Sequence, residues 1–314
     1  MPKPQHSTQR SLLAGLSALT VLVAVIVWQL TAPLPASLPL PLPEDASAPD
    51  ATRSTPRQPL FVTFLDVGQG DAALVQAPSG RTLLIDGGDS RDDAAQVILP
   101  ALKAIDCQRL DFLVITHPDQ DHIGGLPYLV DSLPISHVVL TGQVHTTSSY
   151  ERLLTLVRDK RISVIKARSG GRLDLDPSVT VAILGPDDTA VEKEDTNNAS
   201  VVIRVTYAEV SILFAGDAEE PEEKAILSSG AGVRAQVLKV AHHGSQSASS
   251  LEWLRAVSPE VAVISVAADS PHEHPHYEVL QRLEQAGVTI YRTDQHGSIL
   301  VRSDGNRYQA FTEH

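Results

Sequence analysis

The sequence predicts a mixed α/β domain, on three observations. Short β-branched runs such as 82–86 and 261–266 alternate with amphipathic segments from Pro59 onward, which is typical of strands alternating with helices. Tight turns such as APSGR at 77–81 join other strands directly, as in antiparallel hairpins. A hydrophobic content of 42% is sufficient for a core. We therefore expect sheets that are not purely parallel, in one domain spanning 59–314.

The expected elements follow one another along this domain. Strands are predicted at 60–66, 72–77, 82–86, 112–116, 137–141, 200–207, 210–216, 236–241, 261–266, 288–292 and 298–303. These runs are rich in the β-branched and aromatic residues that favour strands. Helices are predicted at 93–104, 123–132, 149–160, 219–228, 249–257 and 276–286. Their apolar residues recur at helical spacing, and Gly287 stands in the position of a C-cap glycine.

The N-terminal segment differs from this domain. The run from Leu12 to Leu30 carries no charge and follows Lys3 and Arg10. Its length is close to the roughly 20 residues that cross a bilayer. We expect residues 1–32 to be a membrane anchor, the alternatives being a cleaved signal segment, with secretion of the rest, or a buried helix.

Composition and charge restrict the location of the domain, the kind of metal site and the surface available to nucleic acid. The basic N-terminus predicts that everything after the anchor lies outside the cytoplasm, and the Pro-, Ala- and Ser-rich stretch 33–58 is expected to be a semi-rigid linker. A single cysteine, Cys107, excludes an internal disulfide and a thiolate-rich metal site. The net charge of −13 argues against a broad basic surface for nucleic acid, although a local basic groove is compatible with it.

Four potential metal ligands crowd into the six residues 117–122, directly after a predicted strand: His117, Asp119, Asp121 and His122. In extended backbone, alternate residues share a face, so the first three can face one cavity while His122 follows as the chain turns into a helix. The alternative is a helix N-cap made by one of the aspartates. Two residues of each type at this spacing favour a site for two metal ions.

Two other predicted strands are also followed directly by aspartate or histidine residues that can bind metal. Asp217 follows ILFAG, and His242 and His243 follow VLKVA. Groups at the carboxyl ends of strands collect at one edge of an α/β sheet, where a carboxylate can bridge two metals. The alternatives are a turn aspartate before a helix and a surface turn before Gly244. Adjacent strand residues face opposite ways, so one of the two histidines is expected to touch metal, and the sequence leaves open which.

Six motifs between about 60 and 303 carry a family resemblance. They are FLDVGQGDAALVQAPSGRTLLIDGG, THPDQDHIGG, NNASVV, LFAGD, KVAHHGSQSASS and HPHYEVLQRLEQAGVTIYRTDQHGSI. The sequence resembles the metallo-β-lactamase-fold hydrolase domain of the ComEC competence proteins and their stand-alone relatives. The resemblance implies an αββα sandwich, with two mixed sheets packed face to face and helices outside. It also implies an active site along one edge of the sandwich.

The resemblance implies a set of metal ligands. They are His117, Asp119, Asp121, His122, Asp217, Asn198 and one of His242 and His243. Asp119 replaces the second histidine of the superfamily motif H-x-H-x-D-H, and Asn198 stands where many members supply another histidine. The extra carboxylate favours Mn²⁺, whereas zinc has the higher intrinsic affinity. Two divalent ions, Mn²⁺ or Zn²⁺, are therefore expected.

The resemblance also implies how these ligands divide between two metal sites. His117 and Asp119 would form the first site with Asp217. Asp121 and His122, with Asp217 bridging and a histidine of 242–243, would form the second.

Other matched positions suggest supporting roles near the metals. Asp66, Gln69 and Asp71 belong to the motif DVGQGDA, and Asp86 precedes two glycines. Asp66 is expected to orient a ligand histidine, with a hydrogen-bonded turn as the alternative. For Asp86 the structural interpretation is favoured.

The loops near the C-terminal end of the domain carry three more candidate site residues. His274, His276 and His296 would face the cleft and contact a phosphate or donate a proton to a leaving group. Asp119 or Asp121 would accept a proton from water, and His243, His274 or His276 would assist the departing oxygen.

The expected function is that of a metal-dependent hydrolase outside the cytoplasm, acting as a phosphodiesterase or nuclease with DNA as one candidate substrate. A lactone or β-lactam hydrolase is a first alternative, because hydroxide activated by metal also attacks carbonyl carbon. A non-catalytic DNA-uptake or assembly module with a degenerate metal site is a second. The sequence leaves the oligomeric state open.

Overall fold

The computed structural model describes residues 57–192 and 195–314, which belong to one structural unit, Pro56–His314. The predicted anchor at 1–32 and all but the last two residues of the predicted linker at 33–58 lie outside the described residues. Among the residues that are described, no helix has the length and apolar character needed to span a membrane.

Fifteen strands form two sheets in the described part of the chain. In chain order they are β1 (Leu60–Phe64), β2 (Ala73–Gln76), β3 (Thr82–Ile85), β4 (Leu110–Val114), β5 (Ile135–Leu140), β6 (Ser163–Lys166), β7 (Arg172–Asp176), β8 (Val179–Gly185), β9 (Val202–Tyr207), β10 (Val210–Phe214), β11 (Val237–Lys239), β12 (Val261–Ile264), β13 (Thr289–Arg292), β14 (Ile299–Ser303) and β15 (Tyr308–Thr312).

Both sheets are mixed. The first has the order β15-β14-β1-β2-β3-β4-β5-β6, and it is parallel from β3 to β6 and antiparallel elsewhere. The second has the order β13-β12-β11-β10-β9-β8-β7, and it is parallel from β13 to β10 and antiparallel from there to β7. The prediction of sheets that are not purely parallel is confirmed.

Among the described residues, helices connect the parallel strands, and short helices also lie in other connections. In chain order they are α1 (Arg91–Asp93), which continues through a π-helical turn (Ala94–Ile98) into α2 (Leu99–Ala104), then α3 (Gln120–Ile123), α4 (Leu126–Ser132), α5 (Ser148–Asp159), α6 (Asp188–Glu192), α7 (Glu220–Ser228), α8 (Leu251–Val257), α9 (Tyr277–Gln285) and α10 (Thr293–His296). Within the described ranges, two short 3₁₀ turns lie at Asn197–Ala199 and Ala241–Gly244.

Three apolar layers hold the elements together. The central layer lies between the two sheets, where the rings of Phe64 and Phe214 approach to 5.7 Å between centroids. The outer layers pack helices onto the far face of each sheet, with Leu126 in one and Trp253 in the other. Each buried aromatic or aliphatic side chain contributes about 1.5–3 kcal/mol. This arrangement confirms the predicted αββα sandwich.

The structure adds to the predicted elements and shifts one of them. Every predicted strand and helix is present, but the helix expected at 123–132 is divided into α3, which starts at Gln120, and α4, which starts at Leu126. The strands β6, β7, β8 and β15 were not predicted. The strands β6 and β15 lie at the two edges of the first sheet with largely uncovered side chains, so their hydrophobic pattern is weak.

Candidate metal centre

The chain turns from β4 into α3 through the residues that hold most of the candidate ligands. Asp119 occupies the N-cap position of α3 in extended conformation, yet its side chain makes no capping hydrogen bond. Its carboxylate is therefore not used for capping, and its Oδ2 lies 3.6 Å from Nε2 of His117. Gly124 packs against the backbone carbonyl of Asp89, where a Cβ would collide with it.

Buried hydrogen bonds orient the histidines of this turn. Asp86 Oδ1 accepts the backbone N–H of Thr116 at 2.8 Å, and Oδ2 accepts the Thr116 hydroxyl at 2.6 Å. Oδ2 also lies 2.8 Å from Nδ1 of His122, and Thr116 Oγ1 lies 3.1 Å from Nδ1 of His117. The Nε2 atoms of both rings are thereby left free to face Asp217.

Asp217 lies at the centre of the cluster. It follows β10, is 3% exposed, and its Oδ1 lies 3.2 Å from Nε2 of His122. Its Oδ2 lies 3.7 Å from Nε2 of His117 and 3.7 Å from Nε2 of His243. Burial opposes its ionisation, but His122, His243 and His117 together hold the pKa of Asp217 well below its ordinary value.

The turn after β11 brings both of its histidines toward Asp217. The strand ends at Lys239, and His242 and His243 have φ values of 49° and 51° in a 3₁₀ turn. The expectation that they belong to a strand and face opposite ways was therefore wrong. His243 is buried and its Nε2 lies 3.1 Å from Asp121 Oδ2, while its Nδ1 donates to the Ser265 carbonyl at 2.9 Å.

His242 is more exposed and has a different partner. Its Nε2 lies 3.8 Å from Asp217 Oδ2, and its Nδ1 lies 3.1 Å from Glu219 Oε1. The same Glu219 oxygen accepts the hydroxyl of Ser247 at 2.8 Å. Sequence analysis missed Glu219, although its position two residues after Asp217 in GDAEE was a usable signal.

The cluster fits divalent metal ions. Three ring nitrogens and one carboxylate oxygen are buried without a well-formed hydrogen bond among the described residues: Nε2 of His117, His122 and His243, and Oδ1 of Asp217. Buried polar atoms normally have a hydrogen-bond partner. Four buried polar atoms without one, close together, therefore indicate a site for a bound partner. Among the described residues, three ligand groups lie within 4.8 Å: His117 with His122 and Asp217, Asp121 with His122 and His243, and Asp71 with Asp86 and His122. Imidazole and carboxylate ligands suit Zn²⁺ and Mn²⁺.

The charges of the cluster follow from its burial and its ion pairs. Burial lowers the pKa of His117 to about 3. Burial also opposes protonation of His122, but Asp217 and Asp86 raise its pKa well above the ordinary value. Burial raises the pKa of Asp121, but the nearby rings of His243 and His122 hold it below its ordinary value. Asp121 and Asp217 are therefore ionised at neutral pH.

A cavity of about 420 Å³ adjoins the cluster. It is lined by Asp119, Asp121, Asp217, His242, His243, His272, His274 and His276. Burial and the neighbouring histidines lower the pKa of His274 to about 4, so its ring is neutral at pH 7. His276 Nδ1 accepts the backbone N–H of Gln246 at 3.0 Å. The predicted His274 and His276 therefore face the cleft, and His272 joins them without having been predicted.

The motif DVGQGDA lies behind this cluster. Asp66 Oδ1 accepts the N–H of Gly68 at 3.1 Å, so Asp66 forms the turn, and Asp86 is the carboxylate that orients a histidine. The amide atoms of Gln69 are buried without a hydrogen-bond partner among the described residues. Asp71 pairs with Lys239, with 2.8 Å between Oδ2 and Nζ.

Two predicted residues are engaged elsewhere. Asn198 Oδ1 accepts the backbone N–H groups of Glu219 and Glu222 at the start of α7, and its Nδ2 donates to Asp195 at 2.8 Å. His296 is hydrogen-bonded to the backbone of Arg292. Neither side chain lines the cavity.

The comparison with protein families agrees with this geometry. The family described as the metallo-beta-lactamase superfamily matches residues 65–268, a range that includes every proposed metal ligand. This chain belongs to that superfamily. It has the superfamily's hydrolase fold, and its His and Asp cluster is a site able to hold divalent metal.

Two curated relatives link this superfamily member to competence proteins. It is 30% identical over 256 residues to ComE operon protein 3 of Bacillus subtilis, which covers 77% of this chain and 33% of the relative. It is 31% identical over 248 residues to Competence protein ComA of Neisseria gonorrhoeae, covering 78% of this chain and 33% of the relative. The chain thus spans about a third of the length of these relatives.

A solved structure shares the fold. CmlA, a diiron beta-hydroxylase from Streptomyces venezuelae, aligns with a TM-score of 0.51 and 15% identity, over 79% of this chain and 55% of CmlA. At this identity the likeness supports the sandwich alone.

Proposed function

We propose that this superfamily member is a phosphodiesterase that uses two divalent metal ions. The observation that carries the proposal is the convergence of two three-residue ligand groups at one edge of the sandwich, beside an accessible cavity. The buried ring nitrogens that lack well-formed hydrogen bonds support it, because only a cation or a donor would satisfy them.

The ligands divide between the two ions according to these distances. His117, Asp119 and Asp217 would hold one ion, since Asp119 and Asp217 both approach Nε2 of His117. Asp121 and His243, which approach each other to 3.1 Å, would hold the second ion with His122. Asp217, whose Oδ2 lies 3.7 Å from Nε2 of both His117 and His243, would be shared. With three aspartates among the ligands, we expect Mn²⁺ to support activity better than Zn²⁺.

The chemistry follows from these residues. When bound, two divalent ions supply a nucleophile from water at neutral pH and neutralise negative charge on a phosphoryl group. Asp119, whose side chain is 37% exposed at the cavity wall, is placed to accept the proton that the attacking water loses.

The other side of the cavity would serve the leaving group. His242, held by Glu219 through Nδ1, lines the cavity and is placed to protonate the departing oxygen. His274 and His276, which line the same wall, would contact the substrate phosphate. A hydrogen bond from the neutral ring of His274 would position a phosphate without adding charge to the site.

The names of the relatives support DNA as the substrate. Two of them are a competence protein and a protein of the ComE operon. We place the reaction outside the cytoplasm, because the uncharged run from Leu12 to Leu30 follows basic residues. The formal net charge of −13 disfavours a surface that holds long duplex DNA through counterion release. Single-stranded or short DNA is therefore favoured as the substrate.

The experiment measures metal content and cleavage in the same protein. We expect two metal ions per chain and hydrolysis of bis-p-nitrophenyl phosphate and single-stranded DNA with Mn²⁺, reduced by about 100-fold or more in Asp217→Asn and Asp121→Asn. Asp92→Asn, on the exposed face of α1, is the control. Cleavage of a lactone or a β-lactam without phosphodiester cleavage would replace the proposal with carbonyl hydrolysis. Absence of both metal and cleavage would indicate a non-catalytic module.

A further inference from the structure

A buried ion pair lies directly behind the metal ligands. The Nζ atom of Lys239, the last residue of β11, lies 2.8 Å from Oδ2 of Asp71 and donates to the Val240 carbonyl at 2.9 Å. Both side chains are buried. Lysine is almost never buried without a partner, and such a pair adds little stability over apolar residues of similar size. Its location points to a different role.

Asp71 contacts metal ligands from both sheets. Its backbone N–H donates to the Asp121 carbonyl at 3.1 Å, and its Oδ1 lies 3.5 Å from Nδ1 of His243. Gly70, just before it, packs so closely on Asp121 that a Cβ would lie 2.1 Å from the Asp121 oxygen. A displacement of Asp71 would therefore move Asp121 and His243 relative to each other.

The carboxylate of Asp71 is also close enough to compete for metal. One oxygen of Asp71 lies within 4.8 Å of ligand atoms of Asp86 and His122. Its Oδ1 is buried and accepts no hydrogen bond from the described residues. Without the ammonium of Lys239 this carboxylate would either be repelled by the ionised aspartates around it or be drawn toward the cations.

A small cavity marks the position of the pair. It measures about 10 Å³ and is lined by Asp71, Lys239, Thr116 and Ser265 among others. Thr116 contacts the ring of His117, and the Ser265 carbonyl accepts from His243. The pair thus lies in the layer of residues that orients the ligands.

We propose that Lys239 is a positioning residue of the metal centre. Its ammonium holds Asp71 in place as a residue that does not bind metal, and Asp71 then sets the spacing between Asp121 and His243. This inference rests on the proposed two-metal function, but it assigns a role to residues outside the ligand set.

The test measures metal affinity by calorimetric titration with Mn²⁺, together with the absorption spectrum of bound Co²⁺. Lys239→Met removes the ammonium at similar length, and we expect the dissociation constant of at least one ion to rise about 10- to 100-fold, with an altered Co²⁺ spectrum. The double variant Asp71→Asn/Lys239→Met leaves no unpaired carboxylate and should recover most of the affinity. Lys224→Met, an exposed lysine paired with Glu220, is the matched control.

The outcomes separate this inference from the proposed function. A parent protein that binds no metal would contradict the proposed function itself. A parent that binds two ions, with Lys239→Met binding them within about twofold of the parent and only the melting temperature lowered, would make the pair purely structural and overturn the inference. If Lys239→Met does not fold, Lys239→Gln keeps a hydrogen-bond donor for Asp71 without the charge, and the same loss of affinity is expected.

Discussion

Asp86 Oδ2 lies 2.8 Å from Nδ1 of His122, and both side chains are fully buried. The other neighbour of Oδ2, the Thr116 hydroxyl, donates to it, so the carboxylate accepts from both groups. The neutral His122 ring that a metal ion would bind therefore carries its proton on Nδ1, with the Nε2 lone pair on the side that faces Asp217.

This relationship predicts the effect of Asp86→Asn. The amide can donate to Nδ1, which would move the ring proton to Nε2 and block the ligand position. We expect metal affinity to fall about 10- to 100-fold, with hydrolysis falling in parallel. Equilibrium dialysis with Mn²⁺ measures the affinity, and Asp92→Asn serves as the exposed control. Unchanged affinity in Asp86→Asn would show that the carboxylate does not determine the tautomer.

The pair of His242 and Glu219 predicts a dependence on the leaving group. Glu219→Gln should weaken proton donation by His242, so substrates with a poor leaving group, such as a dinucleotide, should lose about 10- to 100-fold in kcat. Substrates that release p-nitrophenolate need little protonation and should change much less. Glu220→Gln alters the exposed neighbour and should affect neither class. Equal losses for both classes would exclude a role in proton donation.

Gly68 and Gly70 form a matched pair in the turn behind the metal centre. Both have positive φ, 71° and 118°, but a Cβ at Gly68 would meet nothing within 4 Å, whereas one at Gly70 would collide with Asp121. Gly68→Ala should cost about 1 kcal/mol of unfolding free energy. Gly70→Ala should cost at least about 2 kcal/mol and also weaken metal binding. Denaturant unfolding and metal titration check this, and equal effects of the two substitutions would contradict it.

Glu222 predicts a pH dependence of stability. Burial, with the charges of Asp187 and Asp195, raises its pKa from 4.5 to about 8. The folded state therefore binds one more proton than the unfolded state between these pH values, so its stabilising contribution is complete below pH 4.5 and is lost as the pH rises toward 8.

Glu222→Gln removes this titration. We expect its free energy of unfolding to vary less between pH 5 and 9 and to exceed that of the parent at pH 9 by on the order of 3 kcal/mol. Denaturant unfolding at a series of pH values measures the difference. Glu220→Gln, on the same helix but exposed, should follow the parent curve. A parental stability that stays constant over this range would contradict the assignment.

Local sequence patterns were sufficient for much of the fold. The alternation of β-branched runs with amphipathic segments predicted the strands of both sheet centres, because a buried strand needs an apolar run. It did not find the edge strands β6 and β15, whose side chains are only partly covered, and it also missed β7 and β8, although most side chains of β8 are buried. The boundary of α3 also escaped prediction, since the stretch from His117 to His122 was expected to remain extended longer than it does.

The sequence by itself determined which chemistry is available: histidines and aspartates at strand ends, and no thiolate-rich site. Which of two adjacent histidines contacts Asp121 was decided only by the tertiary structure. His243 rather than His242 lies against Asp121 because both residues adopt left-handed conformations after β11. Lys239 and Glu219 acquire their roles from partners that are distant in sequence or across a turn. Such pairings depend on how two sheets pack, and a single sequence carries no local signal for that packing.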